Sequence, residues 1–517
     1  MKLMLTLCVP LVAFGIYVSS KSGCGSCTAL RSSAPRTPSC CVEPSVHEFI
    51  FALADDKAEV ADCPMFGGTP QRNMVNTVAK GIPADWSVEE GKEKNIKWTA
   101  ELGDKAYGGP VITGGKIYVG TNNHTPRDPK VTGHKAILMA FNEADGKFLW
   151  QIVHDIPADP RFKDAETEGL CSTPVVEGDG IFYVTPGAEV IRANPQGKIV
   201  WKYDMMKELG VLPFHLSNCS PLIAGDNLMV ITGNGSDGNG KVDAPKAPSF
   251  IAIHKDTGKL VWQDASPGEK IIEGQWANPA LAVVGGKQQV IFPGGDGVLY
   301  SFEPETGKLV WKFNCHFDPP KENEPRNYFV ASPVVVGDRM YIGMGVGPEL
   351  ASSPKSSYLM CLDLTKTGDV SPKSWKASDP ANKDSSLVWS FGGAIEPRPK
   401  TGRPVLYRTT ISTNAVHDGL VYASEEAGYL HCFDAKTGER YWFDDLKSGV
   451  WGSPYYVDGK VMIGAEDGSV FVYRHGKKKD VIAVIDHGET IHSTPIVANG
   501  TLYVTTKSKL FAIVEKK

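Results

Sequence analysis

The stretch Lys255-Asp256-Thr257-Gly258-Lys259-Leu260-Val261-Trp262 decides the fold, because the chain repeats it. A Gly-Lys-x-x-Trp ending recurs at Gly146–Trp150, Gly197–Trp201, Gly258–Trp262 and Gly307–Trp311, and a Gly-Glu form stands at Gly438–Trp442. Each unit opens with a small-residue–Pro step or a variant of it. The openings are Gly109-Pro110, Thr173-Pro174, Ser220-Pro221, Asn278-Pro279, Ser332-Pro333, Thr413-Asn414, Ser453-Pro454 and Thr494-Pro495. Proline suits the first position of a strand, where no ladder donor is required. Gly, Asp and Asn turns then separate short alternating runs, which is the pattern of hairpins. One such unit cannot bury both faces of its sheet alone, so the units stack radially. Eight openings predict an all-β, eight-bladed antiparallel β-propeller.

The closing Trp residues are Trp150, Trp201, Trp262, Trp311, Trp389 and Trp442, and the seventh unit has Val481–Val484 instead. The eighth unit shows only three strands. An orphan fourth strand, Asn95–Leu102, carries Trp98 in the repeat position. This N-terminal strand is expected to complete the last blade and so remove the free sheet edges of an open ring. The repeat Trp residues read as structural, each ring lying across a neighbouring blade with its N–H on a backbone acceptor. Asp204–Gly210 reads as a short helical turn with Asp204 as cap and Gly210 as stop.

The chain has 517 residues and a net charge of −5. Such mild acidity gives no electrostatic footprint for nucleic acid. Residues 1–20 read as a secretory signal, with Lys2 before an apolar run from Leu3 to Val18 and small residues Ser19 and Ser20 for cleavage. The run is shorter than the roughly 20 residues of a spanning helix. Residues 21–61 read as a flexible Cys-, Ser- and Pro-containing tether, and 62–517 as the propeller. The expected location is the periplasm or cell envelope, with membrane association only through an N-terminal anchor, either an uncleaved signal or a lipidated Cys24. Of eleven Cys, Cys24, Cys27, Cys40, Cys41 and Cys63 cluster before the repeats, where disulfides or interchain links are expected. Cys171, Cys219, Cys315, Cys361 and Cys432 are scattered and read as buried core. The twelve His show no H-E-x-x-H or paired spacing, so no metal site is predicted.

Residues just before the Pro steps approach the channel mouth: Tyr107, Cys171, Asn218, Trp276, Tyr328, Thr410, Trp451 and His492. They either plug the axis or line a pocket for a small molecule or peptide.

The repeat at Lys255–Trp262 and Glu303–Trp311 resembles that of the quinoprotein-dehydrogenase-like superfamily, which holds the pyrroloquinoline quinone (PQQ) dehydrogenases and the outer-membrane assembly lipoprotein BamB. The opening Cys63-Pro64-Met65-Phe66-Gly67-Gly68-Thr69-Pro70-Gln71-Arg72-Asn73-Met74-Val75 is similar to that of PQQ-binding-like repeat proteins, with Cys63 where Trp is usual. The resemblance implies, for an enzyme, PQQ over Ca²⁺ on the axis, with oxygen ligands and a carboxylate base. Thr232-Gly233-Asn234 resembles the family's Asn turn and Gly187-Ala188-Glu189 its Glu turn, which makes Glu189, Asn234 and Trp276 the candidate cofactor-binding residues. Ala277 stands where the catalytic Asp would follow Trp276, and the adjacent Cys40-Cys41 lies outside the first unit, where the family's ring would be. No catalytic residue is therefore assigned. The expected function is an exported, non-catalytic binding or assembly scaffold with an envelope protein or peptide partner. The rival reading is a PQQ- and calcium-dependent oxidoreductase with a rearranged site, in which Glu273 acts as a displaced carboxylate.

Overall fold

Each repeat folds into a four-stranded antiparallel sheet, and eight sheets form an eight-bladed β-propeller. The computed structural model describes residues 61–317, 326–345, 357–393, 407 and 409–516, all in the compact unit Ala58–Lys517. The expected signal peptide and the four tail cysteines Cys24, Cys27, Cys40 and Cys41 lie outside the described residues. Among the described residues no helix is long and apolar enough to cross a membrane.

Blade 1 consists of Val111–Thr113, Lys116–Asn122, Lys135–Asn142 and Phe148–Asp155, from the axis outward. Blades 2 to 7 follow in chain order, their innermost strands being Val175–Glu177, Leu222–Ala224, Ala280–Val284, Val334–Val336, Ala415–His417 and Tyr455–Val457. Blade 8 takes Ile496–Ala498, Thr501–Thr505 and Lys509–Ile513 from the C-terminal part of the chain and its outer strand, Ile96–Glu101, from the N-terminal part. Trp98 pairs with Ala512 and Ala100 with Leu510, so ring closure follows the expectation. The middle strands of each blade are buried on both faces between neighbours, which is why they read as continuous apolar runs. A bulge recurs in all eight blades where the fourth strand begins. It accommodates the extra residue beside the Trp and adds local twist.

The Gly-Lys-x-x-Trp motif serves two interfaces at once. Its Gly has positive φ, from +68° to +79° in five blades, a conformation that a side chain disfavours. Onto that Gly lies the Trp of the preceding blade: Trp98 on Gly146, Trp150 on Gly197, Trp201 on Gly258, Trp262 on Gly307 and Trp389 on Gly438. The indole N–H donates to a carbonyl just upstream of the Gly, as from Trp262 to Pro304 at 2.8 Å and from Trp150 to Pro195 at 3.1 Å. Trp311 departs from the pattern. Blade 5 replaces the hairpin with a longer segment, whose Gly368–Asp369 runs parallel to Trp311–Lys312, and the Trp311 N–H turns back to Gln289 Oε1 in its own blade.

The small residue before five of the Pro steps also has a physical role. Its side chain takes the backbone N–H of the preceding blade: Thr173 N to Ser220 Oγ, Ser220 N to Asn278 Oδ1, Asn278 N to Ser332 Oγ, Thr413 N to Ser453 Oγ and Ser453 N to Thr494 Oγ1, all within 3.2 Å. A polar girdle thus links adjacent blades around the axis.

Candidate functional site

The axis is closed from one side by residues 61–76. This segment touches the innermost strand or opening of every blade. Cys63 pairs with Ile112 of blade 1, and Pro64 O accepts from Val176 N of blade 2. Pro70 O accepts from Leu281 N and Gln71 O from Val335 N, in blades 4 and 5. The Asn73 amide exchanges two 2.9 Å hydrogen bonds with the backbone of Val416 in blade 6. Val75–Asn76 runs parallel to Tyr456–Val457 of blade 7, and Asn76 Nδ2 donates to Val497 O of blade 8. Arg72 is the hub: it is fully buried, and its guanidinium donates at 2.9 Å to Phe66 O, Ser220 O, Pro221 O and Pro279 O. Burial pushes its pKa down to about 10, which leaves it charged at neutral pH. Cys63, expected among tail disulfides, is instead a free, buried thiol at this floor.

Above the floor lies a cavity of about 230 Å³. Its wall contains the residue three positions before each Pro step: Tyr107, Cys171, Asn218, Trp276, Val330, Ile411, Trp451 and His492. Tyr328 and Thr410 are corrections to the sequence reading, since they miss this offset. Tyr328 is buried behind Trp276 with its hydroxyl donated to the Glu273 carboxylate, and Thr410 Oγ1 donates to Ser424 O inside blade 6. Val330 and Ile411 take their places. Two aromatic groups face across the axis. On one side the Tyr107 ring stacks on His492 at 4.5 Å with Trp451 edge-on at 5.5 Å. On the other, Trp276 tilts against His215 and Phe214 at 6.0 and 6.1 Å.

Sequence reasoning missed the helix Lys163–Glu168, which brings Asp164 and Glu168 to the cavity, and also His215. The Asp164 carboxylate pairs with His215 Nδ1, while His215 Nε2 is buried with no hydrogen-bond partner. His215 has a φ of +62°, uncommon for a residue other than glycine. Burial, then the charge of Lys105, pushes His492 down to about 4, so it is neutral at physiological pH. Burial first, then nearby Glu168, drives the Cys171 thiol well above its usual range. It is no ready nucleophile.

The residues implied for PQQ and calcium do not converge here. Glu189 sits on the third strand of blade 2, bound to Lys202 Nζ at 2.8 Å, outside the cavity. Asn234 is fully buried, with Oδ1 accepting from Leu212 N and Nδ2 donating to Ala244 O, both at 3.0 Å. Only Trp276 lines the cavity, and Ala277 beside it is fully buried. Among the described residues no Lys or Arg lines the wall, and Lys105, which donates to the Tyr107 hydroxyl at 3.5 Å, is the cation found beside it, whereas PQQ is a tricarboxylate. This donor set does not fit that cofactor.

A family profile described as outer membrane protein assembly factor BamB matches residues 134–388 and 376–516. The chain belongs to that family. Among curated proteins it is 23% identical over 346 residues to an outer membrane protein assembly factor BamB of Burkholderia pseudomallei, covering 65% of this chain and 81% of that one. It is 27% identical over 312 residues to a quinoprotein ethanol dehydrogenase of Pseudomonas putida, covering 54% of this chain but 41% of that one. Solved structures of the same fold include BamB from Moraxella catarrhalis (TM-score 0.51, 16% identity, 80% of this chain and 96% of that one) and the quinohemoprotein alcohol dehydrogenase of Comamonas testosteroni (TM-score 0.58, 14% identity, 91% and 82%).

Proposed function

We propose that this chain is an exported, non-catalytic propeller that acts as a binding and assembly scaffold for proteins of the cell envelope. The observation that carries the reading is the fate of the cofactor positions: the Asn234 amide is committed to the scaffold, Glu189 pairs with Lys202 away from the cavity, and Ala277 stands buried at the place of the base. The signal-like residues 1–20 and membership of a family described as outer-membrane assembly factors support the location and the type of partner. An envelope protein or peptide is the expected partner.

One sheet edge suits such a partner. The outermost strand of blade 7, Val481–Asp486, carries neither Trp nor Lys nor Arg, and no described strand pairs with its outer side. Val481 and Val484 are 42% and 53% exposed there. An apolar edge of this kind accepts an added strand through its main chain. Blade 4 already does so within the chain, since Gly368–Asp369 extends its outer edge. The test is cross-linking of the full-length protein in envelope extracts. Val481→Lys with Val484→Lys is expected to lower the yield of one defined cross-linked partner at least tenfold while the melting temperature holds. A yield unaffected by both charges contradicts the edge, and the absence of any specific partner contradicts the scaffold.

A second reading, an oxidoreductase with a rearranged site, is favoured by one arrangement. His215, oriented by Asp164 and with Nε2 open, has the form of a general base beside Trp276. Turnover of alcohols or sugars with an artificial electron acceptor, abolished by His215→Gln, would favour it over the scaffold.

A further inference from the structure

Away from the axis, the loop between the second and third strands of blade 1 holds an arrangement that neither the fold nor the scaffold reading uses. His124 lies just after Lys116–Asn122, and His134 just before Lys135–Asn142. Asn123 gathers the loop, its Nδ2 donating to Val131 O at 2.9 Å and Gly133 O at 3.3 Å. His124 Nε2 thereby comes within 3.0 Å of His134 Nδ1 and 3.1 Å of the main-chain oxygen of Glu166. The outer ring nitrogens face carboxylates. His124 Nδ1 is 3.2 Å from Asp104 Oδ2, and His134 Nε2 is 3.9 Å from Glu166 Oε2. Asp104 is itself held, because the buried Asn122 donates from Nδ2 to its Oδ1 at 2.5 Å.

An ionised carboxylate only accepts, so the neutral His124 imidazole places its proton on Nδ1, toward Asp104. Its Nε2 then presents a lone pair. That lone pair faces His134 Nδ1 at 3.0 Å and the Glu166 carbonyl oxygen at 3.1 Å. Either a proton on His134 Nδ1 or a metal ion satisfies the His124 lone pair, and a metal also takes the Glu166 oxygen as a ligand. Two donors bound at about 2.1 Å to one metal stand about 3.0 Å apart at the right angle of an octahedral site and about 3.4 Å apart at a tetrahedral angle, so the 3.0 Å between the two ring nitrogens matches octahedral coordination. A carboxylate behind the imidazole is the arrangement that orients a metal-binding His and raises its basicity.

We propose that His124 Nε2, His134 Nδ1 and the Glu166 carbonyl oxygen form a site for an octahedral divalent transition metal of the nickel or cobalt type, completed by water. Among the described residues no three His, Cys, Asp or Glu side chains converge as a metal-binding group. The third protein donor here is a main-chain oxygen, and the remaining positions are open. Bound metal ties the blade 1 loop to the helix Lys163–Glu168, whose Asp164 and Glu168 line the axial cavity.

The test is titration of the metal-free, full-length protein with Co²⁺, whose visible spectrum separates nitrogen and oxygen ligands from the thiolates of the tail, followed by competition with Ni²⁺. One equivalent with weak d–d bands and no thiolate charge-transfer band is expected at pH 7.5. His124→Ala and His134→Ala each remove that equivalent without changing the melting temperature of the metal-free protein, and Asp104→Asn weakens binding about 10–100-fold. The proposal is overturned if the wild type takes up no such equivalent, if both His variants retain it, or if the only bound Co²⁺ carries thiolate bands.

Discussion

Trp262 lies across Gly307 of the following blade, so closely that a Cβ on Gly307 would fall 2.7 Å from Trp262 Cδ2. The two residues belong to consecutive copies of one motif, which makes the repeat an instruction for stacking blades. Gly307→Ala is expected to destabilise the protein by about 1–2 kcal/mol from its left-handed backbone alone, and Trp262→Ala by about 3–5 kcal/mol. The double variant should cost less than the sum, because both remove the same contact. Urea denaturation of the four proteins checks this, and strict additivity would argue that the pair is not coupled.

Arg72 holds the axial floor with four main-chain acceptors. Hydrogen bonds from a charged donor, and the cost of stranding buried carbonyls, each amount to a few kcal/mol. Arg72→Met should therefore lower stability by about 3 kcal/mol or more. Arg72→Lys should fare little better, since an ammonium cannot reproduce the planar fork. Thermal melts and proteolysis within residues 61–76 read the outcome, and a Lys variant as stable and protected as the wild type would refute the hub role.

Acid should weaken the ring through its buried histidines. Burial pushes His154 and His487 down to about 4 from an ordinary value of 6.5, and His487 Nε2 accepts from the Trp86 indole at 3.2 Å. The unfolded chain takes up these protons first, so their contribution is complete above about pH 6.5 and is lost as pH falls toward 4. Asp296 works in the opposite sense. Burial raises it to about 6, so its contribution is present below 3.8 and declines as pH rises to 6. Melting temperatures between pH 4 and 7 should rise with pH, more steeply in Asp296→Asn and less steeply in His487→Gln. Identical slopes in all three proteins would contradict the assignment.

Much of this architecture was legible because Gly and Trp recur at a fixed spacing and the Trp98 strand carries the same signature without partners of its own. The cavity wall was legible in part. Its residues keep a constant offset of three before each Pro step, but a preference for polar side chains led to Tyr328 and Thr410 where the offset gives Val330 and Ile411. Asn234 resembled a calcium turn because an Asn that caps a loop and an Asn that binds a cation look alike until the partners of its amide are known. The axial segment 61–76 has no periodicity, since its hydrogen bonds go to eight different blades. Asp164, Glu168 and His215 come from insertions outside the repeat, and the pairing of His124 with His134 depends on how one loop folds back.

The most direct test of the account is a titration of the full-length protein with PQQ in the presence of Ca²⁺, followed by Trp fluorescence and by reduction of an artificial electron acceptor. An axial cavity walled by Trp276, Trp451 and Tyr107, with no Lys or Arg among its described lining residues, predicts no stoichiometric uptake and no turnover of alcohols or sugars. Uptake of one equivalent that supports turnover and is lost in Trp276→Ala would contradict it.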